Sequence, residues 1–194
     1  MKKFSLFLIF ILLFGGIGMT NAQEKPALLA TSAYNPPAQM PLRLSPEMQQ
    51  KVIKNATVAI STAKRAKAYL TPGKVWLWTE PTGEKVIKAA LLYEGIVVTV
   101  IHFNPLNGSL LPCGLHSAVF EVKNPQIESV KSTLPKIVSK IQVLDGAEFR
   151  EPENAWAIPL AYDGMIIGHL KVYSDGTHIV PDYPANQEMN AYGK

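Results

Sequence analysis

Cysteine is almost absent from this chain: Cys113 is the single example in 194 residues. One cysteine excludes an intramolecular disulfide, and with it the disulfide-rich scaffolds common among small secreted proteins. It also excludes a lipid-anchored export signal, which needs a cysteine directly after its apolar stretch. Long apolar runs are missing too. Beyond the N-terminal segment, none approaches the ~20 residues of a membrane-spanning helix.

The apolar stretch that does exist lies at the N-terminus. Met1-Lys2-Lys3 is a short basic segment, and Phe4 to Phe14 is apolar except for Ser5. Gly15, Gly16 and Gly18 follow, then Thr20-Asn21-Ala22-Gln23. Basic start, short apolar run and small residues form the pattern of an export signal. Residues 1–22 are therefore expected to be cleaved near Ala22, which puts the mature chain in the periplasm or outside the cell. The alternative is an uncleaved N-terminal anchor. Loss of Lys2 and Lys3 lowers the formal net charge from +4 to +2. So small a positive charge removes most of the support for a nucleic-acid partner, and none is expected. The mature chain is expected to have no integral membrane span. Its roughly 170 residues are enough to stabilise a fold by burial alone.

Residues 23–45 carry Pro26, Pro36, Pro37 and Pro41 without periodicity and read as a proline-rich arm or linker. Ser45-Pro46-Glu47 opens a long amphipathic helix: a cap, a proline at the first helical position, and an acid in the first turn. Met48, Val52, Ala56, Ile60, Ala63 and Leu70 keep helical spacing, and Thr71-Pro72-Gly73 is expected to stop the helix. Strands are predicted at 74–79, 85–93, 96–103, 109–111 and 117–122. A second helix opens at Asn124-Pro125, with Pro135 expected to kink or split it. Strands at 156–162, 165–173 and 177–180 follow. The fold class is α+β, with a first unit at 46–122, a second at 123–181 and a tail at 182–194.

Two stretches match without gaps. Ala90-Leu91-Leu92-Tyr93-Glu94-Gly95-Ile96-Val97-Val98 aligns with Pro159-Leu160-Ala161-Tyr162-Asp163-Gly164-Met165-Ile166-Ile167. An acid-Gly pair between apolar runs marks a hairpin, because glycine accepts positive φ. We read two related units, each a helix packed on an antiparallel sheet. In the second hairpin, strict alternation puts Trp156, Ile158, Leu160, Tyr162, Met165, Ile167 and His169 on one face. Ala157, Pro159, Ala161 and Gly168 then form a small-residue face suited to close packing by a helix or partner.

Helix, hairpin with Tyr-acid-Gly, and a turn such as Asn104-Pro105-Leu106-Asn107-Gly108 leading to a short strand resemble the PepSY module. The resemblance covers 88–112 and 157–181; the second copy departs from it in a turn, Ser174-Asp175-Gly176, that reads as shorter. It implies tandem modules in an exported protein that binds or restrains a protein partner, with no catalytic residues to carry over.

Cys113 and His116 have a Cys-x-x-His spacing, with His102 close in sequence. A metal site for copper or zinc needs three or four converging ligands. If Phe103 pairs with Ser109, Cys113 lies about three strand positions from His102, roughly 10 Å away. A structural cysteine beside an ordinary loop histidine is the competing reading, and an intermolecular disulfide is another. Trp76 and Trp78 share one strand face and read either as core or as a binding platform. Binding of a protein partner through Trp76, Trp78, Ala161 and Gly168 is the leading expectation, without an enzymatic reaction or a cofactor. Metal handling through Cys113, His116 and His102 is the alternative, and an enzyme of unrecognised type the third.

Overall fold

The computed structural model describes residues 45–193. The expected export signal, and the arm apart from Ser45, lie outside the described residues. Among the described residues, no helix is long and apolar enough to cross a membrane.

Helix α1 runs Pro46–Lys67, with Lys64, Arg65 and Lys67 in its last turn, where the carbonyl end favours positive charge. Strands β1 (Thr71–Thr79), β2 (Lys85–Tyr93) and β3 (Ile96–Phe103) form an antiparallel sheet in that order. Thr71-Pro72-Gly73 belongs to β1 and does more than stop the helix. A register shift between Pro72 and Val75 accommodates the proline on this edge strand. Helix α2 (Ile127–Lys140) is followed by β4 (Gln142–Val143), β5 (Glu148–Arg150), β6 (Ala155–Tyr162) and β7 (Met165–Tyr173). In this second sheet β4 and β5 both pair with β6, as does β7, all antiparallel. The α+β class is therefore as expected.

Several local expectations need correction. Helix α2 begins at Ile127 and runs through Pro135 without a break. Pro135 lies on the exposed side, where water can serve the carbonyl left without its usual donor. Residues 117–122 form no strand; the Lys85 N–H donates to the Val119 carbonyl at 2.6 Å, but no ladder follows. The expected tail contains a helix, α3 (Tyr183–Tyr192). Asp182 caps it by accepting from the Ala185 N–H at 3.1 Å, and Ala185 and Met189, one turn apart, bury their side chains.

The two hairpins agree in detail. Both turns place two residues at positive φ, Glu94 (52°) and Gly95 (82°) in one, Asp163 (49°) and Gly164 (77°) in the other. Both contain a bulge at the same place. Leu91 pairs with Thr99 but Leu92 with Val97; Leu160 pairs with Gly168 but Ala161 with Ile166. The exits also match: Phe103 bridges Leu110 and Val172 bridges Ile179. The turn in the second copy is thus not shorter, and Phe103 meets Leu110 where Ser109 was expected. Each bulge inserts one residue and reverses the facing beyond it. Gly168 consequently joins the inner face opposite Leu160, and His169 moves to the outer face opposite Pro159.

The helices do not stay with their neighbours in sequence. Helix α1 packs against β4, β6 and β7, whereas α2 packs against β1 and β2. The side chains of Asn55 and Thr62 on α1 donate to the Ser174 and Gly176 carbonyls at 3.0 and 2.7 Å. In the other direction, the Gln126 N–H before α2 donates to the Pro105 carbonyl at 3.1 Å. One continuous core results, with Ala59 and Ala63 from α1, Leu134 from α2, Ile87 and Leu91 from β2, and Ile158 and Leu160 from β6. The strand exits cross over as well. The Cys113 N–H donates to the Ile166 carbonyl at 2.7 Å, and the Asp182 N–H donates to the Val97 carbonyl at 2.8 Å.

Candidate functional site

Alternation in β1 decides what the outer face of the first sheet carries. Val75 and Leu77 point into the main core, so Trp76 and Trp78 point the other way. There α3 covers them. Trp76 is 1% exposed among Ala90, Val97, Ala185 and Met189. Its Nε1 has no hydrogen-bond acceptor among the described residues. Trp78 is partly covered, with Tyr192 edge-on at 5.6 Å and the Lys88 ammonium 4.4 Å from its ring centre.

Lys88 anchors a polar cluster beside these tryptophans. It pairs with Glu188 of α3 at 3.1 Å and with Glu80, beyond the end of β1, at 3.6 Å. Across the ladder its register partner is His102 of β3. Burial, and then the positive charge of Lys88, hold the His102 imidazole below its ordinary range, partly countered by Glu80 and Glu188. No protein hydrogen bond among the described residues reaches its ring nitrogens.

Beside this cluster opens a cleft of about 350 Å³, whose lining includes Glu80, Glu84, Val86, His102, Leu115 and His116. One wall is the turn between β1 and β2; the other is the loop after Cys113. Glu84 joins them. Only 9% exposed, it accepts from the Ala118 N–H at 3.0 Å and lies 2.9 Å from the His116 Nδ1. Ser117 adds a hydrogen bond from its hydroxyl to the Lys85 carbonyl at 2.6 Å. Glu84 is thereby committed to holding the loop, while Glu80 and His102 retain capacity toward the cleft.

The expected site residues scatter. Among the described residues no three His, Cys, Asp or Glu side chains form a group able to hold a metal ion. His116 turns to Glu84, and the exposed Cys113 turns to His169, with Sγ 3.9 Å from Nδ1. The Cys113–Ile166 backbone bond leads the chain off β3 and toward β7, which separates the two ends of the Cys-x-x-His spacing. Burial, and then Arg150, lower the His169 pKa. Ala161 is buried, and Gly168 faces Thr99 and Ile101 of β3 at 3.3 and 3.6 Å from a Cβ's position, so neither presents an open contact surface. Sequence reasoning missed Glu80, Glu84 and Lys88. The two acids flanking Pro81-Thr82-Gly83 were the available signal, but Glu188 enters only through the unpredicted α3.

Compared with protein-family models, with curated proteins and with solved structures, the chain matches none. The fold and cleft define an α+β protein with a pocket of small-ligand size on the outer face of one sheet.

Proposed function

We propose that this chain is an exported, non-enzymatic binding protein whose contact site is the cleft between the β1–β2 turn and the loop after Cys113. One observation carries this reading: the His102 imidazole, which makes no hydrogen bond to any described residue, lines a preformed cleft with the carboxylate of Glu80. Glu84 is occupied by structural bonds, which favours recognition over acid–base chemistry. The basic-apolar-small pattern of residues 1–22 supports export. We further read 46–122 and 123–181 as two related helix-and-sheet units that have exchanged helices. The matching turns, bulges and exit bridges, each displaced by 69 residues, support that relation. The resemblance to tandem PepSY modules supports a protein partner.

Capture of a partner from the extracytoplasmic fraction by the chain lacking residues 1–22 tests the site. Thr82→Trp, at the exposed mouth of the cleft, is expected to abolish capture while Glu148→Ala on the second sheet preserves it. Equal capture by both variants sinks the cleft as the contact site.

Metal handling retains one specific support, the thiol and imidazole of Cys113 and His169. That pair replaces the Cys113–His116 set. Metal bound by wild type and lost in Cys113→Ser and His169→Gln would favour it, whereas an equal metal content in all three chains counts against it.

A further inference from the structure

We infer that the cleft beside His102 is a binding site for an aliphatic ammonium group, the chemistry of a lysine side chain or of a free alkyl amine. This rests on the cleft being the contact site, and it names the chemistry recognised there.

Charge decides the sign of the ligand. Glu80 and Glu84 line the cleft and Glu188 lies behind it; Lys88 pairs with Glu80 and Glu188, while Glu84 is matched by the His116 imidazole. Lys88 is itself held by Glu188 at 3.1 Å and by the Trp78 ring, and its pair with Glu80 is the looser one at 3.6 Å, beyond hydrogen-bond range. The carboxylate of Glu80 therefore keeps acceptor capacity. Burial and Lys88 hold the His102 pKa below its ordinary range, which favours the neutral ring, one of whose nitrogens accepts. An anion would meet excess carboxylate and find Lys88 already engaged. A cation finds the Glu80 carboxylate, held only by that looser pair, and an imidazole to which no described residue hydrogen-bonds.

Shape decides the remainder. Pro81, Val86 and Leu115 also line the cleft, and Leu115 is 56% exposed. An alkyl stem covers these surfaces as its head reaches the polar end, the way long cationic side chains lie on apolar ground. A charge-assisted hydrogen bond contributes about 1.5–3 kcal/mol, so the charged head should be worth at least about tenfold in affinity.

The test uses the full chain after removal of residues 1–22 and three probes: N-acetyl-lysine methylamide, 1,5-diaminopentane, and N-acetyl-norleucine methylamide as the uncharged match. Binding is read from the His102 ring resonances by NMR. The lysine probe or the diamine should bind at least about tenfold more tightly than the norleucine probe. Glu80→Gln, which keeps the backbone bonds of the turn, should remove most of that difference. Preference for the capped lysine over the diamine marks a protein side chain as the source, and the reverse a free amine. If the norleucine probe binds as well as the charged ones, or Glu80→Gln has no effect, the ammonium assignment is overturned while the cleft stands. If none of the probes moves the His102 resonances, the cleft itself fails as a contact site.

Discussion

The outer faces of the two sheets differ although their hairpins share turn, bulge and exit. In the first sheet Trp76 pairs with Lys88, and α3 closes over both; at the matching place in the second, Glu148 pairs with Ala157, and α3 packs on the first sheet instead. Ala155, Ala157 and Ala161 occupy that second face, flanked across the ladder by Arg150, Lys171 and Tyr173. The divergence starts after the crossed exits. Asp182 caps a helix that returns over the first sheet. Cys113 leads into Gly114 (φ 82°) and a loop that runs back to Glu84. Both excursions end on the first sheet, and they build the cleft there. Two hairpins of matching turn, bulge and exit therefore carry different outer faces, one with a helix and a cleft upon it and one lined by alanines and long cationic side chains.

The largest expected effect separates those faces. Trp76→Ala should cost about 3–5 kcal/mol of unfolding free energy, read from denaturant midpoints, and should loosen α3. Glu148→Ala at the matching exposed position should stay within about 0.5 kcal/mol. Similar losses would mean that α3 does not distinguish the sheets.

Two glycines sharpen the same contrast at the level of packing. Gly164 (φ 77°) has open space where a Cβ would go, so Gly164→Ala should cost only the left-handed backbone penalty, about 1–2 kcal/mol. Gly176 (φ 79°) would place a Cβ 2.8 Å from the Asn55 carbonyl oxygen on α1. Gly176→Ala should therefore cost measurably more, with faster amide exchange along α1. Equal costs would argue against tight seating of α1 on the second sheet's exit turn.

Asp182→Ala removes the cap of α3 and should cost about 1 kcal/mol. Its exchange signature should be confined to 183–192 and the strands beneath. Exchange that rises equally in the second sheet would contradict the one-sided role of α3.

Acid should act more gently, on both faces. His102 and His169 have folded-state pKa values below the ordinary histidine value of about 6.5. The unfolded chain takes up their protons first as pH falls. Their contribution is therefore full above about pH 6.5 and declines below it. His102→Gln and His169→Gln should each flatten the stability profile between pH 6.5 and pH 5 by reading the midpoint at each pH. Unchanged profiles would show that neither ring is desolvated as described.

Much of this frame was legible in the sequence. Glu94-Gly95 and Asp163-Gly164 announce their hairpins because few residue pairs accept two positive φ angles. Both β2–β3 and the bounds of β7 follow from apolar runs between turn residues. The bulges at Leu91–Leu92 and Leu160–Ala161 were not legible, since an added residue leaves no mark in an apolar run, and they reversed Gly168 and His169. The packing of α1 on β4, β6 and β7 and of α2 on β1 and β2 depends on long-range contacts that no local pattern encodes. Helix α3 was hidden by a weak apolar stripe, only Ala185 and Met189 being buried. Without α3 there was no reason to bring Glu188 to Lys88.

Hydrogen–deuterium exchange on the chain lacking residues 1–22, with and without its captured partner, tests the contact face most directly. Protection is predicted at 80–84 and 114–118, the two walls of the cleft. Protection at 148–150 and 166–171 on the second sheet, with the cleft walls unchanged, would contradict it.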